Sequence, residues 1–249
     1  TFVDLFCGGA NVGINVKSNK TILNDIYVFC KYFGIIKCIR DYLEDFLMFH
    51  ICLELTIVTI IAYLIGSIPT GYLIVKAKTG QDIRTVGSGS TGATNVKRVL
   101  GKNYFFLVML LDALKGATPV ILAKFFATVG LGIGIAPVIA AIAVIIGHSK
   151  SIFLQFKGGK SVASGVGTIL ALNPLVGLMI ALIWGVITYT TKYVSVGSII
   201  ALLISPFLMY FFSAPIAYVA YCALGAIYIV YLHRENIKRL IQGNENKVR

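Results

Sequence analysis

The 249-residue chain is 57% hydrophobic and only 13% charged, with a mean hydropathy of +0.86 and a formal net charge of +12. A soluble domain carries about twice that charged fraction, so a soluble protein is excluded as the main body. The lysines and arginines flank apolar runs, which points the positive charge at anionic lipids and anionic substrates rather than at nucleic acid.

Residues 1–47 stand apart, with balanced acidic and basic residues and no spanning run. The opening, TFVDLFCGGANVGINVKSNKTILNDI, reads as a strand over 2–6, a glycine turn (Gly8, Gly9, Gly13) and a second strand ending in Asn24-Asp25. It resembles the start of Dam-type DNA adenine methyltransferases, whose glycine turn and following acidic residue hold S-adenosylmethionine. The resemblance covers residues 1–26 and stops, and no DPPY-type catalytic motif follows. A lone strand and turn cannot bury a core or complete a cofactor site, so a working methyltransferase is not expected. The expectation is a non-functional methyltransferase-like fragment over 1–47, poorly structured or a strand-turn piece, a remnant of a neighbouring or broken gene. It is joined to an integral membrane domain over 48–249 whose native start is Met48.

Apolar runs long enough to cross a bilayer as helix recur from residue 53 to residue 232, with no cleavable signal-peptide pattern ahead of them. The predicted spans are 53–75, 104–126, 130–147, 162–173, 174–191, 196–212 and 214–232. One straight helix over 162–191 would be about 45 Å long, too long for a core of about 30 Å, and Asn173-Pro174 breaks it. Seven spans leave every loop lysine and arginine from Lys76 to Arg249 on one side except Lys124, whereas six would move the basic C-terminus across. The positive-inside bias therefore makes those loops cytoplasmic. The predicted fold is all-α, a polytopic membrane protein with about seven transmembrane helices, the fourth short. Residues 1–47 then fall outside, an odd place for a cofactor fold. Among the five cysteines no CxxC pair occurs, so neither a zinc site nor a disulfide framework is read.

Three polar segments fall on the cytoplasmic side. The first, 66–98, contains GSGSTGATN at 87–95. There Gly87, Gly89 and Gly92 let the backbone turn its N–H groups inward, and Ser88, Ser90, Thr91 and Thr94 add hydroxyls. Asn95 and Arg98 start a helix whose N-terminus strengthens an anion site, with Asp82 and Arg84 just ahead. The same glycines match GxGxxG, but no strand precedes them and no βαβ unit is available, so dinucleotide binding is rejected.

The second segment, HSKSIFLQFKGGKSVAS at 148–164, offers His148, Lys157, Gly158, Gly159 and Lys160. These suit a second phosphate, or equally a lipid headgroup. Leu154 stands where a Walker A loop needs glycine, so that loop is rejected.

The third segment, HRENIKRLIQGNE at 233–245, follows the last span, and by itself a juxtamembrane basic helix reads as a lipid anchor. A smaller polar site, Ser195 with Ser198, opens the sixth span. Within the second span, Asp112 and Lys115 share a helix face and read as a structural ion pair turned into the bundle.

Together GSIPTGYL, DIRTVGSGSTGATNVKRVLG, LLDALKG, GHSKSIFLQFKGGKSVAS, YVSVGS and HRENIKRLIQGNE resemble the bacterial acyl-phosphate-dependent glycerol-3-phosphate acyltransferases from residue 53 to the C-terminus. The resemblance implies acyl transfer from acyl-phosphate to glycerol 3-phosphate, giving lysophosphatidic acid and phosphate in phospholipid synthesis. It also implies the inner membrane as location, membrane lipids as surroundings, and a partnership with the soluble enzyme that makes acyl-phosphate. By it, Ser88 and Arg98 contribute to catalysis and substrate binding. Lys157, Gly158, Gly159 and Lys160 hold acyl-phosphate, His233 and Asn236 serve activity, and Glu245 maintains the fold. Two departures stand out: Ser90 where the family usually has asparagine, and Ser164 where threonine is usual.

The residue chemistry agrees with that reading. An acyl-phosphate is already activated, so the task is to bring two anions together and orient a hydroxyl. No HxxxxD motif follows His50, His148 or His233, and no Ser–His–Asp triad is evident, so transfer without an acyl-enzyme is expected. No cofactor and no metal are expected, since Asp82 is the only carboxylate in the loops between spans. That also disfavours a polyprenyl-phosphate transferase. A transporter of phosphorylated solutes is the rival from another class, but its site would lie at mid-membrane on broken helices, and no repeat relates the halves here.

Overall fold

The computed structural model describes residues 2–7, 10–15, 20–126 and 135–247. It divides into two compact units, Thr1–Glu54 and Leu55–Arg249. In the first, β1 (Phe2–Cys7) pairs antiparallel with β2 (Ala10–Asn15), Phe2 opposite Asn15 and Cys7 opposite Ala10. The expected first strand is therefore present. The second does not run on to Asn24-Asp25: both residues lie in helix α1 (Lys20–Ser67). Apolar residues at 22, 26, 29, 33 and 36 follow helical spacing, which outweighs the strand reading of that stretch. Gly13 sits in β2 opposite Asp4, while Gly8 and Gly9 lie outside the described residues. The helix covers residues 20–47 as well, so that stretch is not a bare strand-turn piece, and Met48 lies inside α1.

The second unit is helical. After α1 the chain breaks at Ile68-Pro69 and resumes as α2 (Thr70–Thr79), stopped by Gly80 at φ 70°. A 3-10 turn (Ile83–Thr85) and the 87–92 loop lead to α3 (Ala93–Leu100) and α4 (Lys102–Phe126). Then follow α5 (Ile135–Ser149), α6 (Val162–Leu172), α7 (Pro174–Thr191), α8 (Val194–Phe211), α9 (Ile216–Leu232) and α10 (Arg234–Ile241).

The break expected at Asn173-Pro174 is present and capped. Asn173 Oδ1 accepts the Val176 N–H at 3.2 Å, and Pro174 takes the first helical position, where no N–H is needed. Lys124 closes the other side of that break, its Nζ donating to the carbonyls of Ala171 (2.5 Å) and Leu172 (2.8 Å) at the end of α6.

Five helical segments among the described residues are long and apolar enough to cross a membrane: Lys31–Thr79, Lys102–Phe125, Ile135–Leu154, Pro174–Thr191 and Val194–Phe211. The pair Ile216–Leu232 and Arg234–Ile241, bent by 59°, makes a sixth if counted as one span. The expected fourth span is the 11-residue α6, about 17 Å at ~1.5 Å per residue, too short to cross alone. Among the described residues, five helical segments, or six with the bent pair, thus meet the length and composition of a crossing, and the short α6 is the one that does not.

The bundle packs through small residues, as helices in lipid do. A Cβ on Gly116 of α4 would run into the Ser164 carbonyl of α6, and one on Gly167 of α6 would run into the Ala113 carbonyl of α4. Gly66 and Gly147 bring α1 and α5 together in the same reciprocal way. The buried core centres on Ala140, Val144, Ile180, Met209 and Ile229, and a smaller cluster of Val75, Ile83, Val96 and Val108 carries α3. Large apolar side chains such as Leu182, Phe207 and Leu224 remain exposed, as a lipid-facing surface requires.

Candidate active site

Within the second unit, residues of α3, α4, α5, α6, α7, α8 and α10 surround a cavity of about 460 Å³. Of the residues singled out from sequence, Ser88, Ser90, Gly92, Thr94, Asn95 and Arg98 line it from the first segment. His148 and Lys160 line it from the second, Ser195 and Ser198 from α8, and His233, Asn236 and Glu245 from the third. Asp112 also reaches it. Gly87, Gly89, Arg84, Lys115, Lys157, Gly158 and Gly159 are not among its lining residues.

The first loop is wound around one side chain. Asn95 is buried, its Oδ1 accepting the Ser88 N–H at 3.0 Å, while Nδ2 donates to the carbonyls of Val86 (2.9 Å), Ser90 (3.0 Å) and Ile83 (3.3 Å). Gly87 (φ 63°) and Gly89 (φ 67°) make that wrapping possible, and a Cβ on Gly87 would collide with the Asn95 amide. The amide of Asn95 is thus committed to holding Ser88 and Ser90 against the cavity. Ser90, the departure noted in sequence, uses its Oγ to accept the Gly92 N–H at 3.3 Å, a local turn bond. Arg84 does not face the cavity: its guanidinium clamps Asp82 (2.6 Å) and lies over the Tyr72 ring. That clamp raises the arginine pKa and holds the Asp82 carboxyl below its ordinary range. Arg98 lines the cavity and is exposed, with no ion-pair partner among the described residues.

The second loop differs from expectation. The Gly158 and Gly159 N–H groups are taken by the carbonyls of Ser149 (3.1 Å) and His148 (3.0 Å), so they offer no phosphate cradle. Both positions need glycine for close approach: a Cβ on Gly158 would meet the His148 carbonyl, and one on Gly159 the His148 ring. Lys157 is exposed and outside the cavity. Of the two lysines only Lys160 lines the cavity, together with Ser161 at φ 59°. Ser164, the other departure, keeps the needed hydroxyl, 3.0 Å from His148 Nδ1.

Lys160 Nζ donates to Asn236 Oδ1, and Asn236 Nδ2 donates to Glu245 Oε1 at 2.6 Å. Glu245 also accepts from Ser195 Oγ (2.9 Å) and from Arg239 Nε (2.7 Å). One buried carboxylate therefore ties α8, α10 and the C-terminal segment together. Burial opposes its charge, but the bonds from Asn236, Arg239 and Ser195 outweigh that and hold its pKa below the ordinary value. Burial first, and then the nearby Arg239 charge, lowers the Lys160 pKa to about 8. The His233 Nδ1 donates to the Ile229 carbonyl at 2.8 Å, which fixes the tautomer and leaves Nε2 as an acceptor.

Asp112 and Lys115 do pair, at 2.8 Å, with side chains almost wholly buried. Lys115 Nζ also donates to the Ile68 carbonyl (2.7 Å) and Thr70 Oγ1 to Asp112 Oδ1, so the pair staples the broken end of α1 to α4.

Among the lining residues that the sequence reading did not single out are Arg239 and Trp184. Arg239 lies three residues after Asn236 on α10, so helical spacing from a recognised site residue would have found it. Trp184 lies mid-span in α7 with no local polar signal, and only the packing of α7 on α8 brings it to the site.

Residues 56–243 match the family described as glycerol-3-phosphate acyltransferase. A glycerol-3-phosphate acyltransferase of Nostoc sp. is 42% identical over 204 residues, covering 77% of this chain and 90% of that protein. One from Gloeobacter violaceus is 45% identical over 188 residues, covering 75% and 91%. The crystal structure of PlsY, an integral membrane glycerol 3-phosphate acyltransferase, in its glycerol 3-phosphate form superposes with a TM-score of 0.74 at 38% identity, covering 79% of this chain and 96% of that one. Its lysophosphatidic acid form gives a TM-score of 0.71 at 36% identity over the same shares. The chain therefore belongs to the glycerol-3-phosphate acyltransferase family of integral membrane enzymes.

Proposed function

We propose that the cavity moves a fatty acyl group from acyl-phosphate to glycerol 3-phosphate, giving lysophosphatidic acid and inorganic phosphate. One observation carries the reading: a single cavity combines Arg98, Lys160 and Arg239 with an apolar wall of Met109, Val166 and Trp184. The cations suit two phosphate groups and the wall suits an acyl chain.

In the step, the glycerol hydroxyl oxygen attacks the acyl carbonyl carbon. A C–O ester bond forms as the bond from that carbon to the phosphate oxygen breaks, and the electron pair leaves with phosphate. The hydroxyl proton also leaves on phosphate, which is basic enough to take it. Lys160 and Arg98 offset charge that grows on the departing phosphate, and the His233 Nε2 orients the hydroxyl by accepting its hydrogen bond. Ser88 and Ser90 supply hydroxyl donors to the anions. Asn95 and Glu245 position these groups without touching substrate.

In this reading the reaction takes place on the cytoplasmic face of the inner membrane, where the soluble enzyme that makes acyl-phosphate can deliver it, and the lysines and arginines gathered in the loops support it. Residues 48–249 carry the activity, and residues 1–47 contribute nothing to it. Full-length protein in lipid vesicles, given acyl-phosphate and labelled glycerol 3-phosphate, is expected to release labelled lysophosphatidic acid. Label that enters the vesicles chemically unchanged would instead support the transporter.

A further inference from the structure

We propose that Ala181 and Trp184, on one face of α7, grip the acyl chain of the donor and set which chain lengths are accepted. This rests on the acyl-transfer reading above. The two residues are one turn apart and both line the cavity.

The indole is held in place from behind. Trp184 Nε1 donates to Ser198 Oγ at 3.2 Å, and the buried Ser198 hydroxyl itself donates to the Val194 carbonyl at 2.8 Å. The ring therefore has its polar edge toward the serines of α8 and its apolar body available to the cavity. Ser198 is accordingly the anchor of that ring.

Depth orders the wall. Counting back from Thr191, where α7 ends, Trp184 lies about 10 Å along the helix and Ala181 about 15 Å at ~1.5 Å per residue. Ala113 lies at a similar depth on α4, about 16 Å from Lys102 by the same rise. The cavity is thus polar near the helix ends and aromatic at middle depth, with Ala181 and Ala113 deepest and Asp112, already paired with Lys115, beside Ala113.

The opposite wall has little freedom to change. The Ala113 carbonyl touches Gly167 of α6 so closely that no Cβ fits between them, which locks α4 to α6. On α7 the side chains at 181 and 184 can change volume without prising that contact apart. Chain-length selection is therefore assigned to α7.

The chain has one tryptophan, so its fluorescence reports on this wall alone. Full-length protein titrated with palmitoyl-phosphate, octanoyl-phosphate, glycerol 3-phosphate and inorganic phosphate is expected to change its emission with palmitoyl-phosphate. The two chain-free ligands are expected to leave it unchanged. In the steady state, Ala181→Phe is expected to lower kcat/KM for palmitoyl-phosphate about tenfold relative to octanoyl-phosphate, with KM for glycerol 3-phosphate unaltered. Trp184→Phe, which keeps the ring but loses its anchor, is expected to flatten the chain-length profile. An emission change of equal size with inorganic phosphate, or an equal loss across both chain lengths in Ala181→Phe, would overturn the proposal while leaving acyl transfer standing. Native protein that turns over neither donor would overturn the acyl-transfer reading itself.

Discussion

The two glycine-rich loops look alike in sequence and behave differently in the fold. The 87–95 loop uses positive-φ glycines to wind around Asn95, which presents Ser88 and Ser90 to the cavity. The 157–161 loop uses its glycines to lie flat against His148, and lines the cavity with Lys160 and Ser161 alone. A glycine pair in a loop therefore announces close backbone approach. Whether a ligand or a neighbouring helix is what comes close is decided by the rest of the fold.

The sharpest break of that comparison is Gly158→Ala, whose Cβ would meet the His148 backbone carbonyl. It is expected to abolish activity and sharply lower the melting temperature. Gly92→Ala is the control from the first loop, since its Cβ would sit 3.6 Å from Ser90 Oγ, an ordinary contact. Asn95→Ala strips the bonds that wind the first loop and is expected to cost about 3 kcal/mol, read as a shift in thermal unfolding in detergent.

Removing a cation that faces the cavity tests chemistry rather than architecture. Arg98→Ala and Lys160→Ala are each expected to lower kcat about 10²-fold with melting temperature held. Lys157→Ala, outside the cavity, is expected to change the rate by less than about twofold.

The Lys160 charge also gives a pH signature. With its pKa lowered to about 8, the rate is expected to fall as pH rises through that value, about tenfold by pH 9. The stability contribution runs the other way. A lysine whose folded pKa is depressed favours the neutral form, so its contribution is fully present above the ordinary 10.5 and lost as pH falls through about 8. Lys160→Arg, which stays charged, is expected to move the falling limb of the rate profile to higher pH.

Much of the framework is legible in the residues themselves. Asn173-Pro174 announces a break because proline and a capping amide act locally, and the break is there. Asp112 and Lys115 announce a pair because buried charges in a span need partners, and they pair. What escaped depends on distant packing. Nothing in Gly158-Gly159 says that the His148 carbonyl will take a glycine N–H, and nothing in Asp82-x-Arg84 says the arginine will turn to its neighbour rather than to substrate. Asn24-Asp25 reads as a strand end only through the resemblance, and the helical spacing of the apolar residues around it prevails. Trp184 carries no local mark at all, being brought to the cavity by α7 packing on α8.

The central claim is direct transfer between two anions held in one cavity. A single-turnover reaction with doubly labelled substrates tests it most directly, following acyl group and glycerol 3-phosphate together. The account predicts one phosphate released for each lysophosphatidic acid formed, with no acyl label ever bound covalently to the protein. Acyl label trapped on a side chain before glycerol 3-phosphate is added would contradict it.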